Sequence, residues 1–153
     1  MQAIIEGYSP DQRDRYYKTP LMVAARLGNL EMTKALLELG ADPNAQDNFK
    51  WTPLHHAAHS GMVDVAELLI RYGANLDAVA LNGATPIFRA VECSRFNLVD
   101  YLIRKGVKMQ METRKGDIKN VFASKRIHFV TCLGCGYFRL KRYKSDLTGC
   151  VIH

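Results

Sequence analysis

The run Thr52-Pro53-Leu54-His55-His56-Ala57-Ala58 decides the fold. Thr before Pro is a helix start: the hydroxyl can accept a bond from an orphan N–H, and Pro at the first helical position lacks a donor that would go unused. The pattern predicts a short helix over Pro53 to Ser60, with Ala57 and Ala58 small enough to let neighbouring helices approach and Gly61 breaking it. A second helix, Val63 to Tyr72, places Val65, Ala66, Leu68, Leu69 and Ile70 on a broad apolar face. Gly73 supplies the left-handed residue that ends it.

Outward from this stretch, Thr-Pro recurs at Thr19-Pro20 and Thr85-Pro86, each 33 residues away. Leu21, Leu54 and Ile87 keep the same phase, as do Ala24, Ala57 and Ala90, then Leu36, Leu69 and Leu102, then Gly40, Gly73 and Gly106. A fixed period of this length marks stacked supersecondary units. The central run, with Gly61 and Gly73-Ala74-Asn75, closely resembles the ankyrin repeat. The first unit reads Thr19-Pro20-Leu21-Met22-Val23-Ala24-Ala25 and Gly40-Ala41-Asp42. The third departs from the pattern, with Ile87-Phe88 for Leu-His, Ser94 for Gly, and Lys108-Met109-Gln110 where Asp or Asn is usual, so its onward turn is expected to be irregular.

The resemblance covers about residues 14–111 and implies an all-α ankyrin-repeat solenoid of helix-turn-helix units with extended turn tips. The chain divides into a lead-in (1–13), units 14–46, 47–79 and 80–112, a degenerate fourth repeat or cap (113–126), and a basic, cysteine-containing tail (127–153). The stretch Ala84 to Glu92 and the decayed fourth unit also look like proteins that combine ankyrin arrays with EF-hands. No EF-hand loop occurs: Asp42 to Asp47 imitates its start, but Asp47 stands where Gly is needed and Pro53 where the bidentate Glu belongs.

The composition, 48% hydrophobic and 24% charged over 153 residues, excludes fibrous and wholly disordered chains. Met1 to Pro10 carry no basic or apolar leader, and the uncharged stretch near the end is too short to span a bilayer, so an intracellular protein is expected, cytoplasmic first and nuclear second. The net charge of +6 is uneven: residues 1–113 carry 12 Lys+Arg and 13 Asp+Glu, a balance of −1, and residues 114–153 carry 9 and 2, a balance of +7. Cys93, Cys132, Cys135 and Cys150 read as reduced thiols or metal ligands.

No catalytic constellation emerges, and no enzyme is expected. His55 and His59 are one helical turn apart and could chelate a metal, but His55 holds the motif position that ordinarily bonds to backbone. The resemblance implies that function is partner binding on the concave side. Carried over residue by residue, that side comprises Arg15, Tyr16, Lys18 and Arg26 in the first unit; Phe49, Trp51, His56 and His59 in the second; and Leu81, Asn82, Arg89 and Glu92 in the third. Tyr, Trp and Arg dominate binding energy when a partner desolvates them, so the expected occupant is another protein offering an acidic or amphipathic segment. The tail offers a second reading. Cys132 and Cys135, then Cys150 and His153, give a C-x2-C, x14, C-x2-H spacing that suits tetrahedral zinc and, with the surrounding basic and aromatic residues, a nucleic-acid surface.

Overall fold

The computed structural model describes residues 9–107 and, beyond them, four strand segments at 112–113, 116–117, 127–131 and 138–142. Three helix pairs fill the first span: α1 (Pro20–Leu27) with α2 (Leu30–Glu38), α3 (Pro53–Ser60) with α4 (Val63–Arg71), and α5 (Pro86–Glu92) with α6 (Phe96–Arg104). Thr19, Thr52 and Thr85 are the extended N-caps of α1, α3 and α5, each followed by Pro in the first turn. Their hydroxyls behave differently. Thr19 Oγ1 accepts the Met22 N–H at 3.4 Å, Thr52 Oγ1 lies 3.0 Å from His55 Nδ1, and Thr85 Oγ1 is buried with no partner among the described residues.

The first helices α1, α3 and α5 pack side by side, with α2, α4 and α6 as a second layer behind them. Phase-equivalent residues make the shared core: Leu21, Leu54 and Ile87 are wholly buried, as are Ala25, Ala58 and Val91, with Leu36, Leu69 and Leu102 behind. Each unit buries its apolar face only against its neighbours, which is why the array coheres as a one-dimensional stack.

The turn between paired helices needs a left-handed residue: Gly28, Gly61 and Ser94 have φ of 73°, 82° and 58°. At Gly61 space is short as well, since a Cβ there would stand 2.7 Å from Arg95 Cδ. The third unit holds the same conformation with Ser94, a residue able to occupy that region at some strain. The onward turn expected to be irregular, at Lys108 to Gln110, lies outside the described residues.

Long-range bonds repeat with the same spacing. The Asp11 carboxylate accepts the Asp42 N–H at 3.1 Å; 33 residues on, Asn44 Oδ1 accepts the Asn75 N–H at 2.7 Å, and Asn44 Nδ2 donates to Gly73 O at 3.0 Å. Asp42 to Asp47 is thus a link between repeats, not a cation loop. His55 locks the central unit to the third. Its Nδ1 accepts the Thr52 N–H at 3.2 Å and its Nε2 donates to Ala84 O at 3.1 Å, so both ring nitrogens are engaged and neither is left for a metal.

Strands occur only after Val107 among the described residues. β1 (Glu112–Thr113) pairs antiparallel with β2 (Gly116–Asp117), one period after Val79-Ala80 and Gly83-Ala84 of the third turn tip. β3 (Ile127–Thr131) pairs antiparallel with β4 (Phe138–Arg142), Phe129 opposite Leu140, and β4 runs beside α6. The zinc expectation at Cys132, Cys135, Cys150 and His153 falls outside the described residues.

Candidate partner-binding site on the turn tips

The aromatic side chains of the site are set by the backbone of the tips, and its histidines and arginines by the first helices. Asp47 opens the central tip: its Oδ1 accepts the N–H groups of Phe49 (2.8 Å) and Trp51 (2.9 Å), while its own N–H donates to Trp51 O at 3.0 Å. Asp14 does the same in the first tip, accepting from Tyr16 (2.7 Å) and Lys18 (2.9 Å). The third tip has Ala80 in that place, and Asn82 Oδ1 takes the Ala84 N–H instead, at 3.1 Å. Neighbouring tips are tied by backbone: Asn48 N–H donates to Tyr16 O at 3.4 Å and Leu81 N–H to Phe49 O at 3.0 Å. The aromatic side chains therefore stand on a braced ridge.

The second Asp47 oxygen lies 3.1 Å from His56 Nε2. Trp51 packs its ring against the His56 imidazole, centroids 5.3 Å apart and nearly edge to face, with His59 at 6.4 Å on the same side. The guanidinium of Arg89, from α5 of the next unit, sits 4.2 Å from the Trp51 ring centroid. Its Nη1 bonds to Glu92 Oε2 at 2.5 Å, and its Nε is buried without an acceptor among the described residues. Phe49, 6.4 Å from Trp51, stays 60% exposed. Together with Lys18 and Arg26 these side chains line a cleft of ≈ 330 Å³.

Cations outnumber anions in the cleft. Burial lowers the pKa of His56 below its ordinary value, against the opposing pull of the Asp47 carboxylate, so near neutrality the imidazole is uncharged and donates from Nε2. Burial and then the positive charges of Arg89, Arg26 and Arg95 lower that of His59 in the same way. His59 Nδ1 faces Cys93 Sγ at 3.2 Å.

The structure brings together Lys18, Arg26, Phe49, Trp51, His59 and Arg89 around one cleft, with Glu92 bonded to Arg89. Arg15 and Tyr16 stand apart on the first tip, the guanidinium 4.8 Å from the ring centroid, and Leu81 and Asn82 on the third. His56 needs correction. It is 3% exposed, bonded to Asp47 and packed under Trp51, so it supports the tryptophan from beneath at the floor of the cleft and is no exposed contact residue. Asp47 was not among the expected site residues, yet it orders the tip; its signal was the Asp14/Asp47 recurrence at the repeat spacing.

A stack of helix pairs carrying a ridge of ordered tips and a cleft against the first helices defines a repeat scaffold that works by display. The family model for ankyrin repeats (3 copies) matches residues 1–79 and 21–113, most of the chain, and the protein belongs to the ankyrin-repeat family. Such repeats are generally protein–protein interaction modules. No curated protein matches the chain. Among the described residues no group of three or more His, Cys, Asp or Glu is placed to hold a metal, and no helix is long and apolar enough to cross a membrane.

Proposed function

We propose that this chain is a scaffold or adaptor that acts by binding, not by catalysis, and that its concave groove, centred on Trp51, receives an acidic or amphipathic segment of a partner protein inside the cell. The observation that supports this most is the Trp51 cleft itself: an aromatic anchor, braced by a tip whose N–H groups from Asp47 to Trp51 are all bonded, flanked by cations from the first and third repeats. A preformed groove loses little conformational entropy on binding, which is the advantage of a rigid repeat display. An exposed Phe49 next to Trp51 adds apolar area at the rim.

The test is affinity capture with the full chain, followed by titration of each recovered partner against two variants. Trp51→Ala should weaken binding by about 2 kcal/mol or more, as expected for a central aromatic anchor. Lys34→Ala, on α2 and engaged only in an exposed pair with Glu38, should leave affinity unchanged. Partners that bind both variants equally well would remove Trp51 from the site.

A further inference from the structure

We propose that the cleft between Trp51 and the first helices is a carboxylate subsite, which takes one aspartate or glutamate side chain of the partner segment while an adjacent apolar residue of that segment rests on Phe49. The inference deepens the groove reading above and rests on it.

Count the formal charges first. Lys18, Arg26 and Arg89 supply three cations, one from the first tip, one from α1 and one from α5. Asp47 and Glu92 are the anions that answer them, and both histidines are uncharged near neutrality because burial and the neighbouring arginines disfavour their cationic forms. Three positive and two negative charges leave a cleft with one unit of positive charge. A single carboxylate neutralises it; a phosphate dianion would overshoot.

Hydrogen-bonding capacity points the same way. Asp47 is spent as an acceptor: one oxygen holds two backbone N–H groups and the other holds His56, so it offers none to Arg26 or Lys18. Neither Lys18 nor Arg26 is bonded through its side chain to a carboxylate among the described residues, although the Lys18 ammonium lies 5.8 Å from the Tyr16 ring centroid. Arg89 has Nη1 on Glu92 and its Nε unanswered. Its guanidinium is held over the Trp51 ring, 4.2 Å from the centroid, and the planar fork of a guanidinium suits carboxylate recognition. Phe49 lies beside this arrangement with most of its surface free, which supplies the neighbouring apolar contact.

Random dodecapeptides displayed on phage and selected on the immobilised full chain give the probe. The selected peptides should share an aspartate or glutamate next to an aliphatic or aromatic residue. Measured by fluorescence polarisation, changing that acid to its amide should weaken binding about tenfold or more, and Arg26→Ala and Arg89→Gln should each do the same while leaving the far-ultraviolet circular dichroism spectrum intact. The reversed pair, Arg89→Glu with lysine in place of the peptide's acid, should recover at least part of the loss. Selected peptides that depend on Trp51 but keep their affinity as amides overturn the carboxylate subsite and leave the groove reading standing. Peptides that bind more tightly with phosphoserine than with glutamate overturn the single-charge assignment. Peptides indifferent to Trp51→Ala overturn both readings.

Discussion

Acidification should destabilise this array through one imidazole, and the amount can be worked out. His55 is wholly enclosed, accepts the Thr52 N–H at Nδ1 and donates to Ala84 O from Nε2, so the neutral ring satisfies every bond and a proton added at Nδ1 would confront an N–H. Burial, the largest influence, lowers its pKa from 6.5 to about 4. Because the folded value is the lower one, the unfolded chain binds more protons between those limits, and stability falls as pH drops through 6.5 towards 4. Linkage with these two values gives a loss of about 2 kcal/mol between pH 7 and pH 5, from His55 alone. For a domain of this size that corresponds to a melting temperature lower by roughly 10 °C. Urea unfolding at the two pH values measures it directly. His55→Phe, which installs the residue that the third unit carries as Phe88, should be less stable at pH 7 because Thr52 N–H and Ala84 O lose their partner, yet should lose about 2 kcal/mol less on acidification. If both proteins weaken equally from pH 7 to pH 5, or if the His55 ring resonances show a cation at pH 5.5 in the folded wild type, the buried His55 imidazole is not the source of the acid sensitivity.

Gly61→Ala forces an alanine to φ 82° and sets its Cβ against Arg95 Cδ; it should cost about 1–2 kcal/mol in thermal unfolding, by strain and by disturbing the Arg95 Nε bond to His59 O. Thr85→Val should raise the denaturation midpoint, because it removes a buried hydroxyl that finds no partner among the described residues, whereas Thr52→Val, beside His55, should lower it by about 1 kcal/mol. Affinity for the selected acidic peptides should increase as pH falls from neutrality. His59 is held neutral by burial and by Arg89, Arg26 and Arg95, with Glu92 opposing and Cys93 at its Nδ1, and a bound carboxylate favours its protonation; calorimetry in buffers of different ionisation enthalpy should then register proton uptake.

The fold was legible because the signals that specify it are local and repeated. Thr52-Pro53 starts α3 and Gly61 ends it at the residues the sequence indicates, and α4 closes one residue early, at Arg71, a difference within ordinary fraying of a last turn. The cap itself was legible only in part. Placing Thr at the N-cap is a backbone matter common to all three units, but what its hydroxyl meets depends on the residue three positions on, which is Met22, His55 or Phe88. Position 94 shows the reverse case: Ser breaks the sequence pattern, yet neighbouring helices hold it at φ 58°, since packing of α5 against α6 outweighs the modest preference for Gly. The pairing of β3 with β4, Phe129 opposite Leu140, is a non-local choice that no periodicity in this chain announces.

The site was legible as a set of positions and not as a set of roles. Counting along the first helix puts His56 and Arg89 at equivalent places, 33 residues apart, and the sequence treats them alike. In the structure they diverge because of what precedes each: Asp47 opens the tip before His56 and draws the imidazole down into the core, whereas Ala80 opens the tip before Arg89 and offers no carboxylate. Arg89 turns instead towards Trp51 of the preceding unit and Glu92 of its own helix. The absence of an acid at position 80 is thus what frees a guanidinium for the cleft. Ala80→Asp should restore the tip acid, compete with Glu92 for Arg89 and neutralise the cleft's single excess positive charge, so the selected acidic peptides should bind about tenfold more weakly to it while the array remains folded.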